Sequence, residues 1–447
     1  MSHAEANGVD ARANILPRDI PSCDPCRSRR QRQGGVLATK IEMKESEPES
    51  SDAVHRGGSR HAAAGPAENR LFSLDFVLAT LGNFVNSLSL QMLVATLPVY
   101  VVSLGGSNAE AGFVSGAMAL TAMLFRPLSG KLTDAWGRRP LVLMGTSLYG
   151  VASVIYFLAG SIPLLVLGRL VQGCGLSGYG TASNAYVADI APLARRAEAV
   201  GLFSAAQAVG YIIGPVIGFL LADSTGFRHL FYFSGGLAVA AFTISIFTRE
   251  RRQPSKVKRQ LATLHSRILA LDALPFAWMA LCMSIGFGAI NAFIAIYAQS
   301  HGIQNPGFYF MVQAIALLVS RTFVGRLADR LSRAAVIIPG VILMAAALAM
   351  LPVADGFQIF SISAALYGIG FGAAQPASMA LLFDRICQEH RGLATGTYFM
   401  GFDLGVIIGA IALGLVTEKW GFGVMWSVTA VCAMLALAGF LPDHRTR

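Results

Sequence analysis

Charged side chains inside long apolar stretches are the residues of this chain whose type and position could do chemistry. Asp403 is a carboxylate that stands alone near the middle of such a stretch. A charged group at the centre of a bilayer costs roughly 3 kcal/mol and usually faces the protein interior for a functional reason. Because burial disfavours the charged form of a carboxyl group, we expect Asp403 to load and release a proton. The alternative is a permanent ion pair between Asp403 and a buried arginine.

Three arginines also interrupt apolar stretches, namely Arg126, Arg169 and Arg321. Arg126 and Arg321 lie near one end of their stretches, where a long side chain can extend to the membrane surface. We therefore favour a structural role for these two. Arg169 lies about two helical turns inside its stretch, which makes it the second candidate for chemistry.

Two aspartates, Asp189 and Asp384, end apolar stretches at corresponding positions. An arginine follows each of them seven residues later, Arg196 after the first and Arg391 after the second. We expect each aspartate to pair with that arginine or with the neighbouring loop. Such pairs are typical of a scaffold or a gate rather than of a solute site.

The elements that position these charges are predicted to be membrane helices. The chain has 447 residues, of which 54% are hydrophobic and 13% are charged, whereas soluble domains carry about 25% charged residues. This composition excludes a soluble enzyme. Twelve apolar segments long enough to cross a bilayer as helices follow one another between residues 73 and 440, the last two near 393–416 and 422–440. The predicted fold class is an all-α membrane protein with twelve transmembrane helices.

The predicted domain organisation has five parts. Residues 1–70 hold 11 Lys and Arg and 10 Asp and Glu without a long apolar run, so we expect a disordered cytoplasmic tail. Residues 71–247 and 272–441 each hold six of the apolar segments and are predicted to form two six-helix bundles. Residues 248–271 are a basic linker between them, and residues 442–447 are a short cytoplasmic C-terminal tail.

The net charge of +10 indicates membrane topology rather than a nucleic-acid partner. If the N-terminus is cytoplasmic, the cytoplasmic loops and C-terminal tail hold nineteen Lys and Arg, whereas the outer loops hold only Arg228 and Lys419. This asymmetry is the positive-inside pattern. We therefore expect a multi-pass protein of the bacterial inner membrane with both termini in the cytoplasm.

An internal repeat relates the two predicted bundles. A shift of 195 residues superposes charged residues and glycines in one register over a long stretch. The matched pairs include Arg126 with Arg321, Asp134 with Asp329, Asp189 with Asp384, Gly210 with Gly405 and Gly214 with Gly409. Six helices per half insert both halves the same way up, so the halves are expected to be pseudo-symmetric about an axis along the membrane normal.

Three motifs within this repeat resemble those of the major facilitator superfamily, and the resemblance covers residues 71 to 441. The loop after the second segment is similar to the GxLxDrxGRR signature and departs from it only at Ala135 and Trp136. Its matching residues are Gly130, Leu132, Asp134, Gly137, Arg138 and Arg139, with a degenerate copy at Gly325, Leu327 and Asp329. Arg169, Gln172 and Gly173 resemble the RxxQG element. Gly210, Gly214, Pro215 and Gly218 resemble the GxxxGPxxG element of the antiporter branch.

The resemblance implies roles for these residues. The Gly130 loop would be a latch between the halves, with Gly130 allowing close helix approach and Asp134 accepting charge-assisted hydrogen bonds. A plain tight turn is the alternative. Arg169 would take part in proton transfer or organise the carboxylate that does so. The three glycines and Pro215 of the fifth segment would pack closely on another helix and indicate antiport.

Polar residues elsewhere in the segments could line a solute cavity between the halves. These are Asn83, Asn86, Gln207, Tyr211, Asn291, Gln313 and Gln375. Each could instead form a hydrogen bond between helices. With few charges and 27 Phe and 15 Met in the chain, the cavity is expected to suit a small amphipathic solute.

The function predicted from these features is proton-coupled efflux of a small amphipathic solute or drug by alternating access. Proton-coupled uptake or uniport of a sugar or other metabolite, or dedicated export of a metabolite such as a siderophore, is the alternative. No metal site, nucleophile motif or Walker loop is recognisable. We therefore expect a transporter rather than an enzyme, with no cofactor and no metal, acting as a monomer on a solute and protons.

Overall fold

The computed structural model describes residues 72–192, 195–249, 270–328, 332–386 and 391–439, without the side chains of residues 131, 134, 135, 197 and 323–328. The predicted tail 1–70, nearly all of the linker 248–271 and the C-terminal tail 442–447 lie outside these residues. The first six helices are α1 (Leu74–Ser103), α2 (Asn108–Trp136), α3 (Arg138–Leu158), α4 (Ile162–Ile190), α5 (Arg196–Thr225) and α6 (Phe227–Ile246). The second six are α7 (Leu274–Ser300), α8 (Gly307–Ala328), α9 (Arg333–Met350), α10 (Phe357–Arg385), α11 (Arg391–Ile407) and α12 (Leu413–Leu435).

The last two helices follow each other without a loop, and the backbone leaves the helical path inside α12. A π-helical turn, Ile408–Ala412, joins α11 to α12. Within α12 the backbone leaves the helical conformation at Gly421, with φ 81° and ψ 173°. A positive φ of this kind is easily adopted by glycine. The sequence predicts the last two crossings near 393–416 and 422–440. The break at Gly421 lies between them.

Nine helical stretches of the described chain are long and apolar enough to cross a membrane. One of them, Arg391–Gly439, has 49 residues and contains both crossings on either side of the break. Two further helices complete the series: α4, which has 29 residues but holds Arg169 and many small residues, and α8, whose apolar part is Gly307–Thr322. The predicted fold class of an all-α membrane protein is confirmed.

Packing between helices repeats in the two halves. In the first half α1 packs on α5, α2 on α4 and α3 on α4, and in the second half α7 packs on α11, α8 on α10 and α9 on α10. The halves meet through α2 with α11 and through α5 with α8, while α1 contacts α7. These two pairs of helices, α2–α11 and α8–α5, are related by the internal repeat. They form the main seams along which the halves can move.

At one end of the bundle the backbones of the two halves lie in close contact. We call this end, which carries the turns 104–107 and 301–306, the turn face, and the other end, which carries Gly137 and Ser332, the basic face. At the turn face, a Cβ atom on Gly112 of α2 would collide with the Ala410 carbonyl oxygen, and one on Gly307 of α8 would lie 2.7 Å from Val216 Cα of α5. The described conformation is therefore closed at the turn face.

Gly130 has open space around it in the described part of the chain. A Cβ atom built on Gly130 meets no described atom within 4 Å, and the same holds for Gly201, Gly392 and Gly396 near the basic face. The close helix approach expected at Gly130 stays a prediction, because several side chains of its own loop and of the Gly325 copy lie outside the described residues. Gly137 has a clear backbone role, because its φ of 104° lets a single residue separate α2 from α3.

Candidate functional site

Asp403 is buried on α11 and forms an ion pair with Arg126 of α2, in the other half. Only 4% of Asp403 is exposed. The Arg126 Nε lies 2.7 Å from Asp403 Oδ2, and the second guanidinium nitrogen donates a 3.0 Å hydrogen bond to Oδ1. The first contact is a close ion pair without hydrogen-bond geometry, and the second is a charge-assisted hydrogen bond, which is the stronger class of hydrogen bond. The expectation that Arg126 extends to the membrane surface is wrong in this conformation, because its guanidinium is held at the seam between the halves.

The surroundings of this ion pair make it sensitive to protonation. The Arg126 side chain is 38% exposed, whereas the Asp403 side chain is 6% exposed. The guanidinium also lies 5.7 Å from the centroid of the Phe399 ring, a cation–π distance. A proton on Asp403 would cancel the negative charge in this contact and leave the arginine without its counter-charge. The alternative raised by the sequence, an arginine partner for Asp403, is present in the structure.

Arg169 is fully buried on α4 and held by neutral groups. It is 1% exposed, and its guanidinium donates hydrogen bonds of 3.1 Å to the Leu93 carbonyl of α1 and of 3.1 Å to Gln172 Oε1. The Tyr156 hydroxyl also donates to that Gln172 oxygen, at 2.8 Å. Within the described part of the chain no carboxylate forms an ion pair with Arg169. Arg169 therefore ties helices of the first half together and does not organise Asp403 here.

The loop arginines form ion pairs that repeat in the two halves. Arg138 Nε lies 2.9 Å from Asp189 Oδ2, and Arg333 Nε lies 3.1 Å from Asp384 Oδ2. These pairs, related by the 195-residue shift, join α3 to α4 and α9 to α10. Arg196 and Arg391, one of the two predicted kinds of partner, form neither ion pair. The arginine comes instead from the start of α3 or α9, directly after the loop that adjoins the aspartate, which agrees with the other predicted partner, the neighbouring loop.

The other loop residues brace the first half. Arg139 donates a 2.8 Å hydrogen bond to the Ile246 carbonyl at the end of α6. The Asp134 side chain, the surroundings of Gly325 and all of Asp329 lie outside the described residues. The contacts of Arg138 with Asp189 and of Arg139 with Ile246 both lie within the first half, and the latch between the halves stays a prediction.

The glycines of α5 pack against α1. A Cβ atom on Gly210 would lie 2.8 Å from Ser87 Cβ, and one on Gly214 would lie 2.8 Å from Gln91 Cβ. At Gly218 the nearest atom is the Met92 carbonyl oxygen, 3.1 Å away. The four-residue spacing places all three on one helix face. Pro215, on another face, lies against Gly307 of α8 at the turn face.

Two predicted cavity residues, Asn83 and Asn86, are buried within the first half. Asn83 donates a 3.0 Å hydrogen bond to the Phe203 carbonyl and accepts a 3.3 Å hydrogen bond from the Tyr179 hydroxyl. Asn83 therefore connects α1, α5 and α4, which is the alternative role named for it. Asn86 is 3% exposed, and its Oδ1 has no hydrogen-bond partner among the described residues.

Three other predicted cavity residues gather around Arg321 of α8. Its guanidinium donates a 3.3 Å hydrogen bond to Gln375 Oε1 of α10. It also interacts electrostatically with Tyr211 of α5, whose hydroxyl lies beside the Gln207 side chain. Asn291 and Gln313 have no hydrogen-bonded contact with this group in the described residues. The neutral members of this cluster are thus expected from the sequence as cavity residues, whereas the sequence favours a structural role for Arg321.

The described residues contain no group of three or more His, Cys, Asp and Glu that could hold a metal ion. The ionisable contacts of the site are the ion pair between the halves and the cluster around Arg321. Such an arrangement can exchange protons and bind polar groups.

Comparison with known proteins agrees with this arrangement of helices. A family model described as the Major Facilitator Superfamily matches residues 79–320 and 276–447. The chain is 26% identical over 349 residues to the quinolone resistance protein NorA of Staphylococcus aureus (strain MRSA252), covering 74% of this chain and 87% of NorA. It is also 26% identical over 373 residues to the multidrug resistance protein MdtG of Escherichia coli (strain K12 / DH10B), covering 80% of this chain and 91% of MdtG.

A solved structure shares the fold at low sequence identity. The nucleoside transporter NupG superposes with a TM-score of 0.66 and 16% identity, covering 82% of this chain and 99% of NupG. The helical repeat, the three motifs and the family match extend over the same residues. The chain therefore belongs to the Major Facilitator Superfamily.

Proposed function

We propose that this membrane transporter exports a small amphipathic solute in exchange for protons by alternating access. The Arg126–Asp403 ion pair carries the proposal, because it joins the two halves and depends on one titratable group. The resistance proteins to which the chain is similar support a drug-like solute. In this proposal the basic face is cytoplasmic, both termini are in the cytoplasm of a bacterial cell, and the protein acts as a monomer.

The ion pair links proton binding to conformation. Breaking a buried ion pair by removing one charge costs about 3–5 kcal/mol, and the partial exposure of Arg126 reduces this figure. Ionised Asp403 therefore stabilises the conformation that is closed at the turn face. A proton on an Asp403 carboxylate oxygen removes this stabilisation and shifts the population toward the alternative state. Proton uptake at one face and release at the other would then drive the exchange.

The test is solute accumulation in inside-out membrane vesicles with an imposed pH gradient. The probe is a fluorescent quinolone, chosen because of the similarity to NorA. We expect an acidic lumen to drive accumulation by the unmodified chain and not by Asp403→Asn. Asp223→Asn, which removes an exposed carboxylate of α5, is the matched control and should transport normally. Accumulation that ignores the gradient would refute proton exchange, and coupled accumulation by Asp403→Asn would make that carboxylate structural.

A further inference from the structure

The two seams between the halves are repeat mates, but their charges differ. Gly112 meets Ala410 at the turn-face end of the α2–α11 seam, and the 195-residue shift places these positions on Gly307 and Pro215. These two meet in the α8–α5 seam, where a Cβ atom built on Gly307 would lie 2.8 Å from the Pro215 carbonyl carbon. The same shift places Arg126 on Arg321. It relates Asp403 to Ala208. The α8–α5 seam thus keeps the arginine and lacks its carboxylate.

No other carboxylate of the described residues replaces the missing one. The Arg321 guanidinium donates to the neutral Gln375 amide at 3.3 Å and interacts with the neutral Tyr211 phenol. Among the described residues Arg321 therefore has only neutral partners, and charged residues in membrane helices commonly mark substrate pathways. The hydrogen bond ties the partly exposed guanidinium to α10, and the electrostatic interaction with Tyr211 connects it to α5.

The groups around Arg321 can all donate hydrogen bonds to an anion. The guanidinium offers a planar fork that matches a carboxylate, the Tyr211 hydroxyl can donate one bond, and the Gln207 and Gln375 amides can donate more. The cluster combines residues from both halves, since Tyr211 and Gln207 lie on α5 and the other two lie on α8 and α10. An anion bound here would bridge the halves as Asp403 does at the other seam.

We propose that Arg321, with Tyr211, Gln207 and Gln375, binds the carboxylate of an amphipathic solute. This proposal deepens the proposed function and rests on it, because the solute is taken to be the one transported. In the α2–α11 seam the counter-charge of the arginine is Asp403, whereas the corresponding residue of the α8–α5 seam is Ala208. The solute carboxylate takes the place of this missing counter-charge. The solute class is then an amphipathic organic acid or a zwitterion with a carboxylate.

The test is equilibrium binding to the purified full-length protein in nanodiscs of neutral lipid, without any pH gradient. The probes are 1-naphthylacetate and its neutral amide, which differ only in the charged group. We expect the acid to bind more tightly than the amide by about tenfold, because hydrogen bonds to charged groups are stronger than neutral ones. Arg321→Gln should remove this preference, whereas Arg228→Gln, at an exposed position on α6, should keep it.

A second variant tests the proposal without removing Arg321, so its result does not depend on whether Arg321→Gln folds. Ala208→Asp supplies the carboxylate that the repeat lacks, so it should pair with Arg321 and remove the preference for the acid while leaving the amide bound. Equal binding of both probes, no binding of either, or an unchanged preference in Arg321→Gln would overturn the proposal. Displacement of the acid by phosphatidylglycerol but by no soluble amphipathic acid would assign the site to a lipid headgroup and also overturn it. Because binding is measured without a gradient, a preference for the acid can stand even where proton exchange fails.

Discussion

At the residue scale, Arg126 and Asp403 compensate each other's charge across the seam between the halves. Arg126→Gln leaves an ionised carboxylate without its counter-charge in a buried position. We expect a loss of about 1–3 kcal/mol in the free energy of unfolding, less than for a fully buried pair because Arg126 is partly exposed. Thermal unfolding in detergent measures this loss.

The double variant provides the control for that prediction. Arg126→Gln combined with Asp403→Asn removes both charges, so its stability should recover toward that of the unmodified protein. Additive losses in the double variant would show that the two side chains do not interact, and the ion pair would then have no part in coupling.

Arg169 acts at the same scale but through neutral partners. Arg169→Lys keeps the charge but cannot donate hydrogen bonds to the Leu93 carbonyl and to Gln172 at the same time. A lysine presents one ammonium group rather than the planar fork of arginine. Each buried polar group left unpaired costs about 1–3 kcal/mol. We expect a lower unfolding temperature than for Arg228→Lys at an exposed position. An unchanged unfolding temperature would show that Arg169 is held for transport chemistry alone.

At the element scale, the packing of α5 on α1 depends on glycine. A Cβ atom on Gly214 would lie 2.8 Å from Gln91 Cβ, so Gly214→Ala should destabilise the protein by about 1–3 kcal/mol through overpacking. Gly201→Ala on the same helix meets no described atom within 4 Å and should be neutral or stabilising, by up to about 1 kcal/mol. Comparing the unfolding temperatures of the two variants measures this difference. Equal temperatures would mean that the α1–α5 contact is not tight in the membrane.

The contact at the turn face provides a second prediction for elements. A Cβ atom on Gly414 of α12 would lie 3.3 Å from Ala109 Cα of α2, close enough for a disulfide between cysteines at the two positions. Oxidation of the Ala109→Cys and Gly414→Cys double variant should lock the turn face and stop transport, and a reducing agent should restore it. The single variants are the controls. Continued transport by the oxidised, fully cross-linked protein would show that the turn face does not open.

The helices could be predicted from the sequence because lipid leaves few alternatives. A backbone inside a bilayer must satisfy its own hydrogen bonds, so long apolar runs become helices. The helix breaks at Gly137 and Gly421 could also be predicted, because each glycine lies between two apolar runs. The repeat of 195 residues predicted that helix packing would recur in the two halves.

The partners of the charged residues could not be predicted in the same way. Arg126 and Asp403 are 277 residues apart, and no spacing rule relates two helices that meet only after the bundle assembles. The sequence predicts Arg196 or the neighbouring loop as the partner of Asp189, whereas Arg138, 51 residues away at the start of α3, forms the ion pair. The repeat alone shows that Ala208 stands where the other half has the carboxylate of Asp403. This difference becomes informative only because the structure places Arg126 in contact with Asp403.

At the scale of the whole molecule, the central claim is that ionised Asp403 holds the two halves closed at the turn face. The described conformation combines that closure with the Arg126–Asp403 ion pair. Loss of the negative charge should therefore open the turn face in the population as a whole, and this holds whatever the solute is.

The most direct measurement is the distance between spin labels across the turn face in nanodiscs. Labels at Ser103→Cys on α1 and Gln299→Cys on α7, in a background without the native cysteines, report that distance by pulsed electron paramagnetic resonance. We predict a short distance at alkaline pH, a growing population at a longer distance as the pH is lowered, and the longer distance at every pH in Asp403→Asn. A distance that does not change with pH, or a pH response that is the same in Asp403→Asn, would contradict the claim.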